Sequence, residues 1–183
     1  GLQAFYDEKL QTISRWLPAL RSNLDRSEEQ KIPMTMDSWY LHHPLMNLAK
    51  LALDGHKDAE KLLLDSIEYP IKVARHFDYS WPVFYKMDTL ETLKEETAPG
   101  MGGEKDVGGA YAYLMLLVYE LTKDKRFLNE AQRAASKLKE FGMSIFYQAN
   151  NTAFSAMALL RLYAITRDDA YLRTSYLCLA GIM

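Results

Sequence analysis

A single cysteine stands in 183 residues, so no intrachain disulfide framework can hold this chain together. That residue, Cys178, lies in the apolar run YLCLAGIM, which predicts a buried, inert thiol and not a nucleophile. Neither charge sign dominates. With 22 basic and 24 acidic residues the net charge is −2, and the chain lacks the electrostatic footprint of a nucleic-acid binder. Nor is there a run of about 18 apolar residues, so no membrane span is expected. The opening stretch GLQAFYDEKL has no basic-then-apolar leader, which predicts a cytoplasmic location. The four histidines show no HxxxH or HxxE spacing, and Gly102, Gly103, Gly108 and Gly109 do not form a phosphate loop. Neither metal nor cofactor is expected.

What the chain does have is repetition. LTKDKRFLNEA begins at Leu121 and ITRDDAYLRTS at Ile165, with Thr122 and Thr166 lying 44 residues apart. Upstream of each is an apolar stretch, 110–121 and 153–165, apolar almost all round, as an enclosed helix requires. Downstream of the first, 126–141 is one-sided, with Phe127, Leu128, Ala131, Ala134, Ala135, Leu138 and Phe141 at helical spacing. A fainter copy, LMNLAKLALDGHKDAEKLLLDSI, precedes them, and its second helix (58–77) should kink at Pro70. The grammar predicts one all-α domain over 1–183: antiparallel hairpins with apolar inner helices sheathed by amphipathic outer ones. A further helix is expected around 3–22.

Short turns (DGHKD, TKDK, TRDD) join inner to outer helices, and long connectors (about 23–37, 79–107 and 142–152) join outer to inner. In an up-and-down array the long connectors share one face, with the N-termini of the inner helices. Any ligand should bind there.

The units YELTKDKRFLNEAQRAASKL and YAITRDDAYLRTSYLCLAG resemble the inner-turn-outer units of the six-hairpin glycosidase-like superfamily, the (α/α)6 toroids. The phrases DSWYLHHPL, DVGGAYAYLML and YQAN are similar to bacterial members of unassigned function. The resemblance covers roughly 38–183 and implies a carbohydrate-active protein with a site in a central funnel. Three hairpins cannot close a ring of six. Together with the apolar ending at Met183, this predicts an open arc or a fragment of a larger toroid.

Sugar chemistry needs aromatic faces for the pyranose and a pair of carboxyls for proton transfer and attack. Ranked by their place at the long-connector face, the candidate catalytic carboxylates are Asp106, Asp37 and Glu91. Trp39, His42, Trp81, Tyr85, Tyr147, Gln148 and Asn150 are the candidate sugar contacts. Bland roles compete with each. Asp37 or Ser38 can cap a helix that Pro44 enters in its first turn, Asp106 can cap another, and the aromatics of 79–107 can plug the hairpins beneath. Adjacent histidines point about 100° apart on a helix, so His42 and His43 cannot serve one site. A glycoside hydrolase-like enzyme, an α-solenoid scaffold for a protein partner and a noncatalytic sugar-binding domain all stay open at this level.

Overall fold

A computed structural model describes residues 1–17, 34–100, 103–145 and 148–183. Among the described residues three helical hairpins stand in chain order. The first pairs α1 (Ser38–Leu53) with α2 (Lys57–Ser66) and α3 (Glu68–His76). The second pairs α4 (Val107–Thr122) with α5 (Lys125–Leu138), and the third α6 (Ala149–Thr166) with α7 (Asp169–Ile182). Helix α4 packs between α1 and α6, and every residue from Val107 to Val118 is buried. Its all-round apolar sequence therefore reflects an all-round protein environment.

The doubled phrase folds twice into the same turn. Lys123 and Arg167 end α4 and α6 in the left-handed region, at φ 60° and 61°. Thr122 Oγ1 donates to the Val118 carbonyl and Thr166 Oγ1 to the Leu162 carbonyl, both at 2.8 Å. Asp124 Oδ1 then accepts from Arg126 N, and Asp168 Oδ1 from Ala170 N, again both at 2.8 Å. One Thr-x-Asp unit thus ends the inner helix and caps the outer one. Because the bonding matches, Asp124→Ala and Asp168→Ala should each cost about 1 kcal/mol in urea unfolding. A cost confined to one position would break the equivalence of the turns.

The chain is not all-α. It is a mixed, mainly helical fold, with two small antiparallel sheets among the described residues. Strands β1 (Tyr6–Asp7) and β2 (Thr12–Ile13) form a hairpin where a helix over 3–22 was expected. The cause is local. Asp7 Oδ1 accepts from Lys9 N and Leu10 N, at 3.0 and 3.2 Å, which closes a turn and draws those amides away from a helix. The rest of that expected helix, 18–22, lies outside the described residues.

The second sheet orders β3 (Thr35–Asp37), β4 (Phe84–Lys86) and β5 (Thr92–Lys94). Met36 pairs with Tyr85 and Asp37 with Phe84, so two of the long connectors are stitched together. Leu90, at φ 60°, turns β4 into β5.

The outer helix of the first hairpin breaks at Ile67, ahead of Pro70. Proline offers no N–H to the Ser66 carbonyl, which instead accepts from Thr12 Oγ1 at 3.3 Å. Pro44 is the seventh residue of α1 rather than part of its first turn, and it leaves the Tyr40 carbonyl without its helical donor.

Candidate functional site

The described parts of the long connectors meet at one rim. Ser38 N and Oγ donate to the carbonyls of Val83 (3.2 Å) and Pro82 (2.6 Å), which joins the start of α1 to the 79–107 stretch. Asp106 joins that stretch to the start of α6. Its Oδ2 accepts from Gln148 N at 3.0 Å and from Thr152 Oγ1 at 2.8 Å, while its carbonyl accepts from Ser155 Oγ at 3.0 Å. Asp106 is fully buried and makes no side-chain cap on its own helix, α4. The cap expected on α4 is therefore not made, because the side chain is drawn instead to the Gln148 amide and the Thr152 hydroxyl at the start of α6.

At the start of α1 two carboxylates share one donor. Trp39 N lies 2.9 Å from Asp37 Oδ1 and 3.0 Å from Glu104 Oε2. The two oxygens are therefore separated by less than twice a hydrogen-bond length. Burial raises the Asp37 carboxyl above its ordinary value, against the pull of the Tyr40 and Trp39 amides and of Arg15. Glu104 is 1% exposed. Burial also pushes the Tyr85 hydroxyl well up, reinforced by Tyr69, Asp37 and Glu104 beside it.

Glu104 also lines a pocket of about 210 Å³ together with Phe77, Trp81, Glu95, Glu96 and Phe141. Gly103 makes this wall possible, because a Cβ there would lie 2.3 Å from the Trp81 carbonyl oxygen. Glu96 Oε2 accepts from Gly100 N at 2.8 Å and so steadies the outer edge.

The other nominated residues divide by burial. Tyr85 and His42 are fully buried, and Trp39 and Trp81 nearly so, with their faces against other side chains. Trp81 alone among these aromatics lines the pocket. His42 Nδ1–H donates to the Ser38 carbonyl at 2.8 Å, and its ring meets Trp81 and Tyr111 edge-on at 5.6 Å each. His43 is exposed and turns toward Trp39. Glu91 is exposed in the β4–β5 turn, ion-paired to Lys86 at 2.8 Å, and is not part of the pocket wall. Gln148 and Asn150 are exposed at the start of α6, where Asn150 Oδ1 accepts from Asn151 N at 3.0 Å. Tyr147 lies outside the described residues.

Burial lowers the His42 value to about 4 from an ordinary 6.5. The folded state thus holds the neutral ring, while the unfolded chain takes up a proton below pH 6.5. Stability should be intact above that pH and decline as pH falls from 6.5 toward 4. Urea unfolding at stepped pH checks this, and His42→Asn should lack that limb.

Glu104 was missed because the sequence offers it as one of six carboxylates in a single stretch. Only the close approach permitted by Gly103 distinguishes it. Among the described residues no group of three or more His, Cys, Asp or Glu is placed to hold a metal, and no helix is long and apolar enough to cross a membrane. No family model matches the chain, and no curated protein or solved structure is significantly similar to it.

Proposed function

We propose that this chain is a carbohydrate-active protein of glycosidase-like type, with its sugar site in the pocket bounded by 77–82, 92–96 and 103–105. The observation that carries this reading is Glu104, a buried carboxylate that lines the pocket and shares the Trp39 N–H with Asp37. Burial holds the Asp37 carboxyl above its ordinary value, so the pair at the start of α1 includes one carboxyl that keeps its proton more readily than an isolated acid. Glycoside hydrolysis uses such a group to protonate the leaving oxygen, with a second carboxylate to activate water or attack. Glu104 takes the first role, Glu95 on the same lining the second, and Asp37 acts through Glu104 as a positioning residue. Phe77 and Phe141, both half-buried, supply the apolar surface a pyranose needs. The cavity is smaller than the roughly 300–1,000 Å³ of drug-sized sites, which suits one sugar ring. The resemblance of the hairpin turns to the six-hairpin glycosidase-like superfamily supports the same class.

The test is turnover of a glycan panel by wild type, Glu104→Gln and Asp37→Asn. Glutamine keeps an acceptor for Trp39 N, so folding is preserved while proton transfer is lost. Glu104→Gln should lose about 10²–10⁴-fold in kcat. Asp37→Asn should chiefly move the acid limb of the pH–rate profile. Unchanged turnover in Glu104→Gln would remove the assignment, and sugar binding without product would make this a noncatalytic sugar-binding domain.

A further inference from the structure

Away from the sugar pocket, a separate apolar pocket of about 200 Å³ lies between the N-terminal β-hairpin and α1. Leu2, Phe5 and Ile13 line it from the hairpin side, Met36 from β3, and Tyr40 and Pro44 from α1. It shares no lining residue with the pocket beside Glu104. Pro44, whose place inside α1 breaks a helical hydrogen bond, is part of this wall.

One charged residue stands in the lining, Arg15. The hairpin fixes its place. Directly before it, Ser14 N donates to the Phe5 carbonyl at 2.8 Å and Ser14 Oγ to the Trp16 carbonyl at 2.7 Å. The guanidinium lies over the Tyr40 ring, 5.6 Å from its centre, a contact that eases the charge but takes no N–H. Arg15 Nη1 is buried and has no hydrogen-bond partner among the described residues. Asp37 is the acid whose field couples to Arg15, yet its Oδ1 accepts from the Trp39 and Tyr40 amides instead, at 2.9 and 3.4 Å. A buried N–H of a charged group with nothing to bond is costly, and an acceptor of opposite charge removes the cost.

We infer that this pocket binds a small amphiphilic monocarboxylate, with its carboxylate on Arg15 and its short apolar body among Leu2, Phe5, Ile13 and Met36. The guanidinium fork matches a planar carboxylate, which accepts from two N–H groups at once. A phosphate does not suit the same surroundings. No second cation lines the pocket to neutralise a double charge, and the apolar wall leaves its outer oxygens without donors. The volume is below the roughly 300–1,000 Å³ of drug-sized sites, so the body is a short chain or a single ring and not a long acyl tail.

The test is an NMR titration of the full chain with hexanoate, hexanol and inorganic phosphate, reading the Met36 methyl and the Arg15 Nε–H. Hexanoate should move both signals in a saturable way. Hexanol should bind about 10–100-fold more weakly, as expected for losing a hydrogen bond to a charged group. Phosphate should saturate neither signal. Arg15→Met keeps the apolar stem and should lose hexanoate binding, read at the Met36 methyl, by the same factor as hexanol. Arg15→Lys keeps the charge without the fork and should fall between the two. Because Arg15 is half-exposed, both variants should melt within a few degrees of wild type. Hexanoate held as tightly by Arg15→Met as by wild type overturns the proposal. So does hexanol bound as tightly as hexanoate, a comparison that needs no variant. Phosphate bound as tightly as hexanoate also overturns it, since Arg15 would then be a general anion contact.

Discussion

Replacing Gly109 with alanine is expected to destabilise the protein by at least about 3 kcal/mol, the upper part of the range for overpacked cores. The added Cβ would lie 1.9 Å from Ser155 Oγ and 2.4 Å from Ser155 Cα. A side-chain end can swing aside, but a Cα cannot, so α4 and α6 would have to separate along their whole contact. For a chain of this size that corresponds to a fall of about 10 °C in Tm. The neighbouring residue is the control. A Cβ on Gly108 would meet Leu138 Cδ2 at 3.5 Å and Trp81 Cζ3 at 3.7 Å, which is ordinary contact. Gly108→Ala should therefore be neutral or gain up to about 1 kcal/mol from helix propensity. Thermal melts of the two variants should differ in sign. Similar losses in both would mean that the close approach of α4 and α6 is not what Gly109 provides.

The second large effect concerns Glu130, which ties the first hairpin to the second. Its side chain is 2% exposed. Arg75 donates to Oε1 from Nε at 3.1 Å and Nη2 at 2.7 Å, while the hydroxyls of Tyr79 and Tyr111 each donate to Oε2 at 2.9 Å. Glu130→Ala would leave two buried hydroxyls without their acceptor and a guanidinium without its counter-ion. The Arg75 side chain is 54% exposed and can turn to water, so the expected loss is that of the stranded hydroxyls, about 2–4 kcal/mol, read as a shift of the urea midpoint at unchanged slope. Glu130→Gln should fall between the two.

The same cluster fixes a pH dependence. Burial alone would raise the Glu130 carboxyl, but hydrogen bonds from Arg75, Tyr111 and Tyr79 outweigh it and hold the group below its ordinary value. A depressed folded value gives a contribution that is complete above the unfolded value, about 4.3, and lost as pH falls through the lower folded one. That window lies below the one His42 governs, so the two limbs separate on a single pH series. Glu130→Gln should remove only the more acidic limb.

The elements legible in the sequence are those whose signal spans many residues. The enclosed α4 announces itself by twelve consecutive buried positions, and the Thr-x-Asp turns by a repeated phrase whose side chains bond only to their own neighbours. The sheets were not legible. Strands of two or three residues are too short to show alternation, and β3 finds its partner β4 49 residues away, Met36 pairing with Tyr85. The same limit governs the site. That Asp106 stands ready to cap α4 follows from its position, but its bonding to Gln148 and Thr152 in place of that cap depends on where those two residues arrive. The aromatics of 79–107 read equally well as ligand platforms or as plugs, since their composition serves both. The backbone of that stretch turns Tyr79, Trp81, Phe84 and Tyr85 inward, and leaves Phe77 and Phe141, which composition did not single out, beside the pocket.

The central claim is that the rim pocket beside Glu104 binds a sugar, and the most direct measurement is an NMR titration of the full chain with a panel of mono- and disaccharides, reading the indole N–H of Trp81. The account predicts that at least one sugar moves the Trp81 signal in a saturable way and that Glu104→Gln weakens or removes the shift. A panel that leaves Trp81 unmoved, or that moves only signals on the short-turn face around Lys123 and Arg167, would contradict it.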